Sequence, residues 1–156
     1  MATTPLGRQA EALYQQGYEA YLKRQFGDAR MLAERSLTIF REVQHQPGIL
    51  RALHLLGNIA CEQGQYATAR TLHGEVLAAC RAMNFQEGIA SSLNNLGLVA
   101  SKQGQYAQAG VLFEESLQIY QALGQMMEAT AVRAHLEALL QQQAAVSRER
   151  STANDA

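Results

Sequence analysis

LGNIACEQGQYATAR, residues 56–70, returns 40 positions later as LGLVASKQGQYAQAG, residues 96–110. Across 50–89 and 90–129 the identical pairs include Leu53/Leu93, Leu56/Leu96, Gly57/Gly97, Ala60/Ala100, Tyr66/Tyr106, Ala69/Ala109 and Leu77/Leu117. A fainter copy lies upstream, with Gly17, Ala20, Phe26, Ala29 and Leu37 at the matching places. A period of this size marks an array of stacked repeats and settles the fold class before local propensity is consulted. Such arrays present surfaces, and few of them carry out chemistry.

Within each copy the pattern is helical. Short breaks fall at 23–25, 63–65 and 103–105, and a second set at 46–48, 84–87 and 124–125. Gly64 and Gly104 stand where a helix must stop on a left-handed residue. Arg24 holds that place in the first copy, so its turn must differ or carry about 1–2 kcal/mol of strain. Pro47 suits the opening of the following helix. The expected helices span 6–23, 26–44, 48–63, 66–82, 87–103, 106–123 and 126–145, with a frayed tail over 148–156. Gly17, Gly57 and Gly97 sit mid-helix, where Gly costs about 1 kcal/mol against Ala. Their fixed spacing points to a close helix crossing, with Ala29, Ala69 and Ala109 expected opposite.

Composition narrows the function. Of 156 residues 47% are hydrophobic, which supports a continuous core, and 17% are charged. The net charge is −1 with both signs interspersed, so no basic stripe suited to nucleic acid is present. No apolar run approaches the roughly 20 residues of a membrane span. The first residues lack a basic segment followed by an apolar one, so a secretory signal is not expected. Cys61 and Cys80 have no metal-type spacing and read as reduced packing residues, which suits a cytoplasmic protein.

The small residue at the crossing, the [YF]-x-x-A start of the second helix and the Leu-Gly of the first resemble the tetratricopeptide repeat. The resemblance covers residues 10–129 as repeats 10–49, 50–89 and 90–129, with Gln16 in place of the Leu before Gly17. The usual repeat is about 34 residues. Six extra residues lengthen the helices by about 9 Å in total. This longer form resembles repeats of kinesin light chains, Pins-type scaffolds and MalT-like regulators. It implies an all-α, right-handed solenoid of three helical hairpins plus a C-terminal capping helix, a single domain over 6–145. Ala129, Val132, Leu136 and Leu139 or Leu140 give that cap an apolar stripe, with Thr130, Arg133, Glu137 and Gln141 opposite.

The resemblance also implies non-enzymatic binding of a protein or peptide segment in a groove lined by the first helix of each pair. The expected lining is Tyr14, Tyr18, Tyr21, Arg51, His54, Asn58, Asn94, Asn95, Leu98 and Lys102, with Glu11, Cys61, Ser91 and Ser101 on the same face. Asn offers donors and an acceptor in one amide, suited to a peptide backbone. The three tyrosines fall at i, i+4 and i+7, one helical stripe. Alternative readings are a sensor or scaffold arm of a MalT-like regulatory system, and a homo-oligomer paired through the solenoid ends. His54 and Cys61, seven residues apart, are about 10 Å apart along one helix, too far to share a metal or a proton. His45, His73 and His135 have no Cys or carboxylate at useful spacing. No cofactor, metal or catalytic residue is expected.

Overall fold

The computed structural model describes residues 4–154, and among these there are seven helices and no strand. They are α1 (Pro5–Leu22), α2 (Phe26–Glu42), α3 (Gln46–Glu62), α4 (Tyr66–Ala82), α5 (Gln86–Lys102), α6 (Tyr106–Ala122) and α7 (Met126–Asn154). Contacts group the chain into two compact units, Met1–Ala78 and Ala79–Ala156, and the division falls inside α4. A single domain is the expectation from sequence. In a stacked array each repeat touches only its neighbours.

From α2 onward the helices begin at 26, 46, 66, 86, 106 and 126, a backbone period half that of the sequence. Every connection is the same three-residue turn. Its middle residue is left-handed: Arg24, Gln44 and Asn84 at φ 58°, 53° and 52°, and Gly64, Gly104 and Gly124 at 71–74°. The next N–H then reaches five residues back, from Gln25 to the Ala20 carbonyl at 2.9 Å and from His45 to that of Phe40 at 2.8 Å. Gln65, Phe85, Gln105 and Gln125 repeat the bond. The carbonyl of that same residue accepts the first bond of the following helix, as Gln25 does from Ala29. One residue thus ends one helix and starts the next.

Of the two alternatives for the turn at Arg24, the second holds: Arg adopts the same left-handed conformation as its glycine counterparts, at the cost in strain that a side chain brings there. One expectation is corrected. The second set of breaks lies at 43–45 and 83–85, so Pro47 falls inside the first turn of α3. There the His45 Nδ1 accepts from the Gly48 N–H at 3.1 Å and caps the helix.

The crossings also differ from expectation in two of three cases. In the first unit a methyl placed on Gly17 would stand 3.3 Å from the Ala29 carbonyl oxygen, the Ala33 nitrogen and the Leu32 Cβ, a true backbone approach. On Gly57 it would meet the His73 ring at 2.7 Å, and in the second unit one on Gly97 would meet the Phe113 ring at 2.6 Å. The partner there stands four residues after the expected Ala69 and Ala109. The room a glycine leaves is filled by a ring instead of by closer backbones. Ser36 Oγ donates to the Ala10 carbonyl at 2.9 Å, tying α2 to α1, and Ser116 Oγ to that of Ala90 at 2.7 Å, tying α6 to α5. The matching places of the middle copy hold Val76 and Leu50, both buried.

In the second unit Phe113, Tyr120, Ala129, Val132 and Leu139 share one core cluster with Ala90, Ala100 and Ala109. Leu139 is the inward residue of the α7 stripe, since Leu140 is 63% exposed. The helix does not end near Ala145 but runs to Asn154, through most of the expected tail. Residues 141–154 contain neither Gly nor Pro, and once a helix has started each further good former extends it cheaply. Residues 155 and 156 of that tail lie outside the described residues.

Two alanine substitutions separate packing from propensity. Around Gly27 nothing lies within 4 Å of an added methyl, so Gly27→Ala is expected to raise stability by about 0.5–1 kcal/mol. Gly97→Ala gains the same propensity but displaces Phe113, a clash worth about 1–3 kcal/mol, and should lower it. Thermal melts of the two variants moving in the same direction would refute this assignment of the crossing.

Candidate functional site

The expected tyrosine stripe is present and continues beyond α1. Tyr14 and Tyr18 stack with ring centroids 6.4 Å apart, Tyr18 and Tyr21 at 6.3 Å, and Tyr21 meets Phe26, the first residue of α2, at 6.1 Å. Tyr18 is 42% exposed, while Tyr14, Tyr21 and Phe26 are half-buried. A guanidinium caps each end: Arg51 lies 4.8 Å over the Tyr14 ring, and Arg24 lies 5.1 Å over that of Phe26. Such cation–ring contacts hold the ladder's end rings in place.

Arg51 is already engaged. Its two terminal nitrogens donate to the Glu11 carboxylate at 2.9 and 2.5 Å, a forked pair between α3 and α1. This pairing holds the Glu11 carboxyl below the usual carboxylate range and raises Arg51. Burial pushes the Tyr14 hydroxyl up. The fork fixes the angle at which Arg51 covers Tyr14.

His54 and Asn58 follow Arg51 on successive turns of α3, both half-buried. His54 meets His73 of α4 edge to face at 5.1 Å. His73 is 1% exposed, and its Nδ1 has no hydrogen-bond partner. Burial, with a smaller contribution from the neighbouring His54, lowers its pKa to about 3, and burial lowers that of His54 too. Both rings are therefore neutral at pH 7. Cys61 is buried, which removes it from the surface face.

In the second unit Asn94, Asn95 and Leu98 are half-buried along α5, and Lys102 is exposed. Asn94 is not turned out to solvent alone. Its Oδ1, which can only accept, lies 2.9 Å from the His135 Nδ1 of α7, and the His135 ring lies 5.5 Å from that of Phe113. Two turns further Ser101 Oγ donates to the Gln142 Oε1 at 3.3 Å. Leu98 packs against the core cluster. The structure thus assembles the tyrosines and Arg51 into one surface, and gives Asn94 and Leu98 internal work.

Sequence reasoning missed Phe26, His73 and His135 as parts of these surfaces. For His135 a signal was available, since side-chain pairs fall about one repeat apart, Glu11 with Arg51 at 40 and Asn94 with His135 at 41. Within each unit the first helices lie side by side, so a separation of about one period predicts contact. Among the described residues no group of three or more His, Cys, Asp or Glu is placed to hold a metal ion. No described helix is long and apolar enough to cross a membrane.

Two family models, each described as tetratricopeptide repeat, match this chain, one over residues 8–82 and one over residues 89–123. Among the curated proteins none matches. Among solved structures 43 chains match. One of them, the crystal structure of the apo form of RapI, superposes with a TM-score of 0.79 at 21% identity. The match covers 87% of this chain and 50% of that one, so this chain spans half the length of the RapI chain. At that identity the likeness is one of fold.

The buried imidazole makes stability depend on pH. An unfolded histidine binds its proton near pH 6.5, whereas His73 in the fold does so only near 3. Between these values the unfolded chain holds more protons. The stability is complete above pH 6.5 and is lost as pH falls. From pH 7 to pH 4 the loss attributable to His73 is about 3 kcal/mol. His73→Phe, the residue found at the matching place of the third repeat, should remove that slope in urea titrations at the two pH values. A parallel pH dependence in both proteins would contradict it.

Asn94→Ala tests the other engagement. Losing the hydrogen bond to His135 is expected to destabilise the second unit by about 0.5–1.5 kcal/mol and to speed amide exchange in α7. Exchange in α7 identical to the parent protein would exclude a structural role for Asn94.

Proposed function

We propose a binding function for this chain, which belongs to the tetratricopeptide repeat family. It is a protein-interaction repeat module, non-enzymatic as is typical of that family. Its ligand is a peptide or a protein segment, taken up on the face that α1 and α3 present in the first unit. The observation that carries this reading is the aromatic ladder. Tyr14, Tyr18, Tyr21 and Phe26 are ordered by ring stacking and by two guanidiniums, yet remain at the surface. Tyrosine offers a large rigid contact area with a polar tip, and fixing the rings before binding lowers the entropy lost on association.

Two further residues of the first unit support the same face. Asn58, one turn beyond His54 on α3, can both donate to and accept from a peptide backbone. Arg51, paired with Glu11, acts on the ligand through Tyr14 rather than as an open charge.

The test is selection of binders from a random peptide library on the intact chain, followed by titration of one selected peptide. Tyr18→Ala should weaken binding by about 2 kcal/mol, as aromatic anchors do. Asn58→Ala should cost about 0.5–1.5 kcal/mol. Circular dichroism should be unaltered in both, since Tyr18 is exposed and Asn58 is at the surface of α3. Equal affinity for parent and both variants would place the binding surface elsewhere.

A further inference from the structure

We propose that one end of the second unit docks a partner segment carrying a large apolar side chain next to lysine or arginine. This end is formed by the start of α5, the last turn of α6 and the start of α7. Gln86, Gln118, Ile119, Ala122 and Leu123 line an open cavity of about 230 Å³ there. Pockets for small molecules hold about 300–1,000 Å³, so this one is sized for a side chain. Leu123, Met126 and Met127, at the turn into α7, are exposed, Met127 to 85%, and so is Phe85 at the turn into α5. The turn itself does not require the two methionines. One period earlier their places hold Gln86 and Glu87, and two periods earlier Gln46 and Pro47. Large apolar side chains left exposed together beside a cavity mark a contact surface, and methionine adapts its shape to what it meets.

Charge decides the occupant. Glu87 follows Gln86 in the chain, Glu128 follows Met127, and Glu114 stands one turn before Gln118 on α6. Burial pushes the Tyr120 hydroxyl up, and Glu128 and Glu87 add to it, so both carboxylates lie close to the last turn of α6. Among the described residues no salt bridge engages Glu87, Glu114 or Glu128, while Arg81 is already matched by Glu115 at 3.4 Å. A second copy of this chain docking here about a two-fold axis would set these carboxylates against their own counterparts, which removes it as the occupant. An apolar anchor with a cation beside it fills the cavity and neutralises the rim. This surface shares no residue with the tyrosine ladder of the first unit, so neither reading requires the other.

Calorimetric titration of the full chain with a capped peptide, a leucine pair flanked by lysines, tests the inference. One control peptide has glutamates in place of the lysines, and another has alanines in place of the leucines. The expected result is saturable binding of the leucine–lysine peptide, at least about tenfold weaker for either control. Ala122→Phe fills the cavity from an exposed position and should weaken that peptide about tenfold. The double variant Glu87→Gln, Glu128→Gln should weaken it about threefold or more, with circular dichroism unaltered in both proteins. Raising the salt from about 0.05 to 0.5 M should weaken it several-fold, because the rim charges stand in solvent. Absence of saturable binding, equal uptake of the three peptides or constants unchanged in these variants would each overturn the proposal. A loss in Tyr18→Ala with none in Ala122→Phe would seat the peptide on the ladder and overturn it too. Concentration-dependent pairing of the chain, abolished by Ala122→Phe, would assign the surface to a second copy and do the same.

Discussion

The structure depends on how each helix stops. A left-handed residue turns the chain, the next N–H closes back onto the carbonyl five residues earlier, and the same residue opens the following helix. The interior helices are all 17 residues long, and with a three-residue connection they start every 20. Side-chain register follows from that. Within each unit, residues about one sequence period apart meet on consecutive first helices, Glu11 with Arg51 at 40 and Asn94 with His135 at 41. The turn thus fixes which residues meet, and side-chain chemistry only decides what they do there. The cost is modest: three of six turns use Arg24, Gln44 or Asn84 in a conformation that Gly adopts freely.

A common backbone tolerates three solutions at one crossing. Opposite the glycine stand Ala33, His73 and Phe113 in turn, all buried. Alanine lets the helices approach until backbone meets backbone, and phenylalanine fills the gap with apolar area. Histidine fills it too, but with an Nδ1 that finds no partner, an arrangement that burial makes costly. The middle copy is also the one that replaces the serine-to-carbonyl bond by Val76 and Leu50. It gives up a hydrogen bond at one place and buries an unpartnered polar atom at another.

Much of this was legible in the sequence. The 40-residue repeat gave the fold class and helix positions to within a few residues, because glycine and apolar positions recur at fixed offsets. The period of the turns was not legible, since Gln44 and Asn84 carry no strong stop signal and Pro47 draws attention two residues too late. The tyrosine stripe could be read from helical spacing alone. The engagement of Asn94 with α7 could not, because a polar residue on a first helix looks the same whether it faces water or an imidazole one period away. The end of α7 was misplaced for a related reason. Small polar residues resemble a tail by composition, yet none of residues 141–154 is a helix breaker.

The ladder also has an optical consequence. The chain has six tyrosines and no tryptophan, and three of the six lie on the ladder. Phenols a few ångströms apart share excitation energy, so light absorbed by one is emitted by whichever lies lowest. Half of the molecule's tyrosines therefore belong to one coupled array at the surface. Its intensity and anisotropy form a built-in reporter of anything that separates, covers or hydrogen-bonds those rings, without any label.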